Sequence, residues 1–170
     1  EKIKSMLNAD NEIHEYKVKG RKRSSLLANG EYKEYTIKDT IKCEMKITST
    51  WLCEGIARFG VTPRKSHTME IPQWVIEHEL FNHFCRGMVD GDGTICISDR
   101  GEKSEHLIFS MVGTENVCKV MLSEIISKCK LYSDKHQINK RQGCYAFAIS
   151  GNYQAVNVAE YLYKDSTDAI

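Results

Sequence analysis

The sequence is poor in proline and has no long apolar run. Only two of its 170 residues are proline, while 41% are hydrophobic and 28% are charged. This globular composition excludes a disordered or collagen-like chain. Apolar runs of only a few residues exclude a membrane-spanning helix, and the first residues lack the apolar core and cleavage site of a signal peptide. We therefore expect no membrane partner, and one ordinary domain or two small ones.

Paired cysteines are also lacking. The seven cysteines are scattered, and no two of them form a C-x-x-C pair. A zinc site needs paired ligands, so this spacing argues against one. Several of the cysteines fall inside apolar stretches. The pattern predicts reduced, mostly packing cysteines in an intracellular protein of the cytoplasm or an organelle matrix.

The chain has almost no excess charge, since 24 Lys and Arg face 23 Asp and Glu for a net charge of +1. That balance excludes a strongly basic protein, but the basic residues are clustered. Local basic patches suit nucleic acid, and two solvated loops would show the same pattern. The clusters are Lys17, Lys19, Arg21, Lys22 and Arg23 and, downstream, Lys135, Lys140 and Arg141.

Hydrophobic periodicity predicts a mixed chain of helices and strands. The N-terminal part predicts a helix end, a strand, a loop ending in an Asn-Gly turn, a strand, a short helix and a connector that holds both prolines. These elements are expected at 1–8, 11–19, 20–32, 33–49, 50–59 and 61–72. The remainder predicts helix, two strands, helix, two strands, helix, at 74–90, 94–98, 106–112, 115–130, 132–140, 144–150 and 152–163.

Two further patterns concern the core and an internal repeat. Thr114 is the expected N-cap of the helix after it. The alternating apolar residues of two strands should be buried under the helices; they are Leu107, Phe109, Met111, Tyr145, Phe147 and Ile149. The segment MKITSTWLCEGIARFG is similar to FAISGNYQAVNVAEYLY. This similarity predicts tandem copies of one unit, the first without its opening helix and hairpin.

The stretch that carries chemistry is FCRGMVDGDGTI, at 84–95. Gly87 and Gly91 are four residues apart, so they share a helix face that another helix could approach closely. Gly91 and Gly93 are expected to end the helix with positive φ, which puts Asp92 just past its C-terminus. A carboxylate is disfavoured at that end of a helix, and a bound divalent cation would reverse the sign.

Three other interpretations of this region compete with a metal site. The glycines and aspartates could simply end a helix before a hairpin. An EF-hand loop is rejected because Ile95 stands where glycine is needed and Gly101 where glutamate is needed. A zinc-protease helix is rejected because His78 and His83 are one residue too far apart to share a face.

The stretch resembles the LAGLIDADG motif of the homing endonucleases, in its R-G-x-x-D-G-D-G form. The αββαββα order predicted from the motif helix onward agrees with that family, and GVTPRKS at 60–66 is similar to the segment that joins the two repeats of its single-chain members. The resemblance implies an α+β fold with an αββαββα repeat, whose antiparallel sheet binds DNA, preceded by the back half of a first repeat. The implied domains are 1–66 for the first repeat, 67–73 for the linker and 74–170 for the second repeat.

The same resemblance implies a site-specific endonuclease that makes metal-dependent double-strand breaks at a long DNA site, in the homing of an intron or intein. Asp92 would bind the divalent cation, usually Mg²⁺, together with the Gly91 carbonyl, while Asp90 braces the helix end. Lys65 matches a basic residue near the attacking water, and a linker lysine is its other interpretation. The second acidic residue is expected upstream of Glu1 or on a second chain, so the first repeat is expected to be truncated and the catalytic unit incomplete.

Double-stranded DNA is expected on the polar faces of the sheets, with strand residues at bases and loop residues at phosphates. Lys135, Gln137 and Asn139 alternate on one predicted strand and would share a face, with Ile138 turned to the core. An ordinary solvated sheet face is the alternative at each position. The expected DNA-binding residues are Lys17, Lys19, Arg21, Lys22, Arg23, Thr94, Ser98, Arg100, Lys103, Lys135, Gln137, Asn139, Lys140 and Arg141.

Two other functions stay open. A protein of this fold could bind nucleic acid without cutting it, as an RNA-splicing maturase with intron RNA as partner or as a DNA-binding regulator. The presence of Asp92 favours cleavage, because a pure binder does not need that charge. A small α/β interaction domain would require the motif and the basic strands to be coincidental. Metal-dependent cutting and salt-dependent binding separate the three.

Overall fold

A computed structural model describes residues 2–26, 30–99, 105–132 and 136–166. The chain divides into two compact units, Glu1–Thr50 and Trp51–Ile170. Both contain antiparallel strand pairs, and helices accompany them, so the predicted α+β class is confirmed. No helix in the described ranges is long and apolar enough to cross a membrane. The predicted repeat limits at 66 and 74 stay predictions.

The N-terminal unit consists of one short helix and four strands. Strands β1 and β4 pair antiparallel, with Ile13 opposite Met45 and Val18 opposite Thr40. Strands β2 and β3 form a second antiparallel pair, with Lys22 opposite Thr36. The bounds are α1 Lys2–Met6, β1 Ile13–Val18, β2 Lys22–Leu26, β3 Tyr32–Thr36 and β4 Thr40–Met45.

Two predictions for this unit were wrong. The loop predicted at 20–32 contains strand β2, and the single strand predicted at 33–49 is two strands, β3 and β4. The break between β3 and β4 lies where Gly20 packs against residues 37–39. A Cβ on Gly20 would lie 2.0 Å from the Ile37 carbonyl oxygen. The Gly20 N–H also donates to an Asp39 carboxylate oxygen at 2.8 Å. The Asn29–Gly30 turn falls partly outside the described residues, and Gly30 has φ +84°.

The C-terminal unit carries the αββαββα order that the sequence predicted. After α2, which begins at the last residue of the N-terminal unit, come a short 3₁₀ helix, a one-turn helix, and then three longer helices interleaved with two strand pairs. The bounds are α2 Thr50–Ala57, the 3₁₀ helix Lys65–His67, α3 Gln73–Ile76, α4 Phe81–Asp92, β5 Gly93–Asp99, β6 Glu105–Gly113, α5 Glu115–Lys128, β7 Asn139–Arg141, β8 Cys144–Ser150 and α6 Asn152–Tyr163.

Strands β5 to β8 form one antiparallel sheet in the order β5-β6-β8-β7. Cross-strand partners share a face of a sheet, and Phe109 is opposite Ile149 while Met111 is opposite Phe147. All four are buried, in one core with residues of α4, α5 and α6. Leu107 and Tyr145 pack partly buried against that core. The predicted burial is therefore confirmed for these four residues and holds in part for Leu107 and Tyr145. The helices cover this face of the sheet.

Local hydrogen bonds set the element limits here. The Thr114 side chain accepts from the Val117 N–H at 3.2 Å, which confirms the predicted N-cap of α5. The helix predicted at 74–90 is instead two helices, because the His78 imidazole accepts from the Leu80 N–H at 3.2 Å and so competes with helical bonding. The strand predicted at 132–140 is shorter than expected: β7 covers Asn139–Arg141.

Candidate metal and nucleic-acid site

Asp92 is the last residue of helix α4, and the chain leaves the helix without a left-handed glycine. Helix α4 runs through Gly91 and ends at Asp92, with Gly93 as its extended C-cap at φ −94°. The expectation of positive φ at Gly91 and Gly93 was therefore wrong. Glycine is still needed at 93, because a Cβ would lie 2.7 Å from the Val89 carbonyl oxygen. Strand β5 can then start directly at the foot of the helix.

Lys65 lies beside Asp92. The lysine opens the 3₁₀ helix, directly after Arg64, whose backbone is left-handed with φ 58°. Its Nζ lies 3.8 Å from an Asp92 carboxylate oxygen, with the side chains 35% and 55% exposed. An ion pair this open to water contributes little to stability. Both groups therefore remain available to other charged partners.

The two side chains share a cavity of about 350 Å³. Its walls come from four places in the chain: the 3₁₀ helix, the end of α4, the β6–α5 junction and the β7–β8 turn. Residues that the sequence did not single out also line it, among them His67, Val112 and Cys144. No spacing pattern could have found them, because they meet only through the fold.

The donors at this site suit a hard cation. The Asp92 carboxylate is half exposed, and the last carbonyls of a helix, such as that of Gly91, lack helical partners. Mg²⁺ prefers such oxygens and is often held by one or two carboxylates together with substrate phosphates. Within the described ranges no three His, Cys, Asp or Glu side chains gather as a metal site. Asp92 and Gly91 thus fit a shared site better than a closed one.

Asp90 is engaged differently, although it lies only two residues away. The Tyr163 hydroxyl, at the end of α6, donates a hydrogen bond to an Asp90 carboxylate oxygen. Burial, and then this hydrogen bond to the carboxylate, raise the pKa of Tyr163 to about 12. The contact ties the end of α4 to the end of α6. It supports the expected bracing role of Asp90.

One face of α4 has glycine at two positions, 87 and 91. A Cβ placed on Gly87 or on Gly91 would meet no described atom within 4 Å. The opposite face of the helix buries Phe81, Cys85 and Val89 in the core. The glycine face is therefore open to close approach, as the four-residue spacing predicted.

The sheet face away from the helices collects several of the predicted DNA-binding residues. Register places Thr94 of β5 on it, opposite Ser110, and pairs Ser98 with His106. On β7, Asn139 and Arg141 lie on this face, opposite Ala146 and Cys144.

The remaining predicted sheet residues lie elsewhere. Lys140 is opposite Tyr145, which packs against the core, so it falls on the other face of the sheet from Asn139. Gln137 precedes β7, which removes it from the predicted strand alternation. Ile138 packs against the core, as predicted. Arg100, Lys103 and Lys135 lie outside the described residues.

In the N-terminal unit the upstream basic cluster lies on the paired strands. Lys17 is in β1, Lys22 and Arg23 are in β2, and Lys19 and Arg21 lie between those strands, all exposed. The facing strands add Lys33 and Lys42, which the sequence analysis did not select. We refer to the two strand pairs of this unit, β1–β4 and β2–β3, together as the basic ribbon. A two-stranded ribbon is one of the shapes that the DNA major groove admits.

The cysteines divide between packing and exposure. Cys85, Cys118 and Cys129 are buried, and burial raises the pKa of the Cys85 thiol to about 12 and of the other two to about 11. These three are protonated packing residues at neutral pH. Cys43, Cys53 and Cys96 are exposed, so the expectation of mostly packing cysteines holds for only part of the set.

Comparisons with known proteins identify no relative of this chain. No family model, no curated protein and no solved structure matches this sequence.

Proposed function

We propose that this chain is part of a site-specific DNA endonuclease that makes Mg²⁺-dependent double-strand breaks, as its resemblance to the LAGLIDADG homing endonucleases implies. The observation that carries the proposal is the pairing of Asp92 with Lys65 in one cavity. The carboxylate ends a helix whose exposed face bears Gly87 and Gly91. Asp92 also directly precedes β5, the first strand of the sheet. The face of that sheet away from the helices, its free face, carries polar and basic side chains.

The chemistry of phosphodiester hydrolysis fits these two side chains. A Mg²⁺ ion held at Asp92 and the Gly91 carbonyl would polarise a phosphate and lower the pKa of an attacking water. Asp92 would hold the cation at the C-terminal end of α4 and would offset part of its charge. Lys65, 3.8 Å from that carboxylate, would orient a phosphate oxygen and stabilise the charge that develops on it. Substrate phosphate would supply the oxygen donors that the chain itself does not provide.

Binding of duplex DNA is supported by the charge and shape of the exposed strands. The basic ribbon of the N-terminal unit supplies cations for phosphates, and the free sheet face supplies Thr94, Asn139 and Arg141 for base edges or phosphates. Salt-dependent affinity is therefore expected.

A second acidic residue would complete a two-cation site of this kind. The open glycine face of α4 supports a helix–helix contact, because backbone approach there meets no side chain. The partner helix would come from a second copy of this chain, whose own Asp92 would be the second acid.

The test is Mg²⁺-dependent cleavage of a randomised duplex library by the 170-residue chain over a range of protein concentrations. Asp92→Asn should abolish cutting, and Lys65→Met should slow it about 10²- to 10³-fold, as the loss of one oxyanion donor does. Asp165→Asn, an exposed carboxylate away from this cavity, is the matched control and should cut normally. A steep concentration dependence would indicate that self-pairing supplies the second acid.

The other outcomes decide between the alternatives. If a high protein concentration yields no cuts but the chain binds duplex DNA or intron RNA in a salt-dependent manner, the maturase or regulator function replaces the proposal. If it binds neither, the chain is an interaction domain.

A further inference from the structure

A groove along α6 combines lysines with exposed aromatic rings, on the helical side of the C-terminal unit. It encloses about 840 Å³ between the end of α5 and the outer face of α6. From Tyr153 to Lys164 it follows the helix for about 16 Å, at 1.5 Å per residue. The sheet residues assigned to duplex DNA above do not line it. It is therefore a surface that the proposed cleavage reaction does not use.

An aromatic platform stands at one end of this groove. Tyr132 is 77% exposed and Tyr153 is 50% exposed. Their rings stack with centroids 5.2 Å apart and an interplanar angle of 28°. Neither ring belongs to the core, so packing does not explain why two large apolar surfaces are left to water.

The platform is held in place by side-chain amides of α6. The Tyr132 N–H donates to the Gln154 carbonyl oxygen at 2.9 Å, and the Asn157 amide donates to the Lys130 carbonyl at 2.8 Å. Gln154 is itself anchored, since its amide donates to the Ser150 carbonyl at 3.0 Å. The segment that presents Tyr132 is thus fixed before any ligand arrives, which lowers the entropic cost of binding.

The charge of the groove is positive. Lys128, Lys130 and Lys164 line it together with one acid, Glu160. Among the described residues none of the three lysines forms an ion pair within 4.0 Å. Their ammonium groups are therefore available to an anionic ligand that runs along the helix.

We propose that this groove binds single-stranded nucleic acid, with a base stacked on the Tyr132–Tyr153 pair and the backbone phosphates on Lys128, Lys130 and Lys164. Stacking platforms beside a cationic track are the means by which proteins hold unpaired strands. In a duplex, every base except those of the terminal pairs is stacked on both faces. The ligand is an unpaired RNA or DNA segment, and the two share the chemistry that the groove recognises.

The test measures binding of the full 170-residue chain to fluorescent RNA and DNA 12-mers of the same unpaired sequence, at several salt concentrations. Tyr132→Leu should weaken binding roughly 5- to 150-fold, the range for loss of one base–aromatic stack, while Tyr132→Phe should bind like the parent chain. Lys130→Gln should reduce the slope of log affinity against log salt by about 0.7. Lys119→Gln, a lysine of α5 that pairs with Glu115 outside the groove, is the charge-matched control and should leave the slope unchanged.

The RNA and DNA arms distinguish the source of the strand. Preference for RNA would indicate contacts to the 2′-hydroxyl, and equal binding would indicate an unpaired DNA strand as an adequate ligand. The proposal is overturned if Tyr132→Leu binds both strands as tightly as Tyr132→Phe, or if the parent chain binds an acidic polypeptide as tightly as the 12-mers. Duplex cleavage by Tyr132→Leu should be unchanged, so failure here is distinct from failure of the endonuclease proposal.

Discussion

The two units of this chain are stabilised in different ways. The C-terminal unit buries Phe109, Met111 and Ile149 completely, between a four-stranded sheet and the helices on one of its faces. In the N-terminal unit no described residue is buried, and large apolar side chains such as Tyr35 and Ile41 are exposed. The C-terminal unit therefore has a hydrophobic core, whereas the described part of the N-terminal unit consists mainly of hydrogen-bonded strand pairs with exposed, charged side chains.

The two units would therefore contribute differently to the proposed function. A strand pair without a packed face is marginally stable in water. Both strand pairs of the N-terminal unit are of this kind, so we expect this unit to be only marginally stable. Its exposed strands and the segment between β1 and β2 instead present a cluster of cations, from Lys17 to Arg23. The C-terminal unit provides the rigid support that a metal site needs, because Asp92 lies at the end of a helix whose other face is in the core.

The largest expected effect is the cost of a core truncation. Phe109→Ala removes a fully buried ring and should lower the free energy of unfolding by about 3–5 kcal/mol. The corresponding change in the ribbon, Tyr35→Ala, removes a side chain that is 43% exposed and should cost less than about 1 kcal/mol. Urea unfolding followed by circular dichroism measures both. Similar costs for the two variants would show that the ribbon has a core of its own.

Hydrogen exchange extends the comparison to the backbone. Amides of β6, paired on both sides in the middle of the sheet, should exchange only through global unfolding. Amides of β1 and β3, each paired to a single strand, should exchange at least about 100-fold faster, through local opening. Mass spectrometry of peptic fragments resolves the two regions. Equal protection would contradict the claim that the ribbon opens independently.

The ribbon charges should affect binding rather than stability. Lys22→Gln combined with Arg23→Gln should reduce the salt slope of duplex binding by about 1.8, at about 0.9 per phosphate contact. The midpoint of urea unfolding should not move, because both side chains are exposed. Lys119→Gln, in the C-terminal unit, is the control with unchanged slope. A slope that stays constant in the double variant would remove the ribbon from the DNA interface.

Local patterns predicted the C-terminal unit better than the N-terminal one. The period-two burial of β6 and β8 and the Thr114 N-cap are properties of short segments, so they could be read directly. In the ribbon, the close approach of Gly20 to Ile37 is a contact between distant segments, and alternation alone merged β3 with β4. The site shows the same division. Asp92 was found from its motif, whereas His67 and Cys144 join its cavity only through folding.

The smallest effect compares one type of hydrogen bond in both units. Tyr163 donates to Asp90 at the edge of the core, and Tyr16 donates to Glu44 at 3.5 Å on the exposed ribbon. Tyr163→Phe should cost about 1 kcal/mol of unfolding free energy near neutral pH, whereas Tyr16→Phe should cost nothing measurable. Neither substitution touches Asp92, so cleavage should persist in both.

The pH dependence of that cost gives its cause. Because the folded-state pKa of Tyr163 is raised from 10.0 to about 12, its stabilisation is complete below pH 10 and is lost as the pH rises through about 12. The difference in melting temperature between the parent chain and Tyr163→Phe should therefore shrink over that interval. If the difference stays constant up to pH 12, the substitution acts through packing of the ring, and the hydroxyl does not tie α6 to the helix that carries the candidate metal ligand.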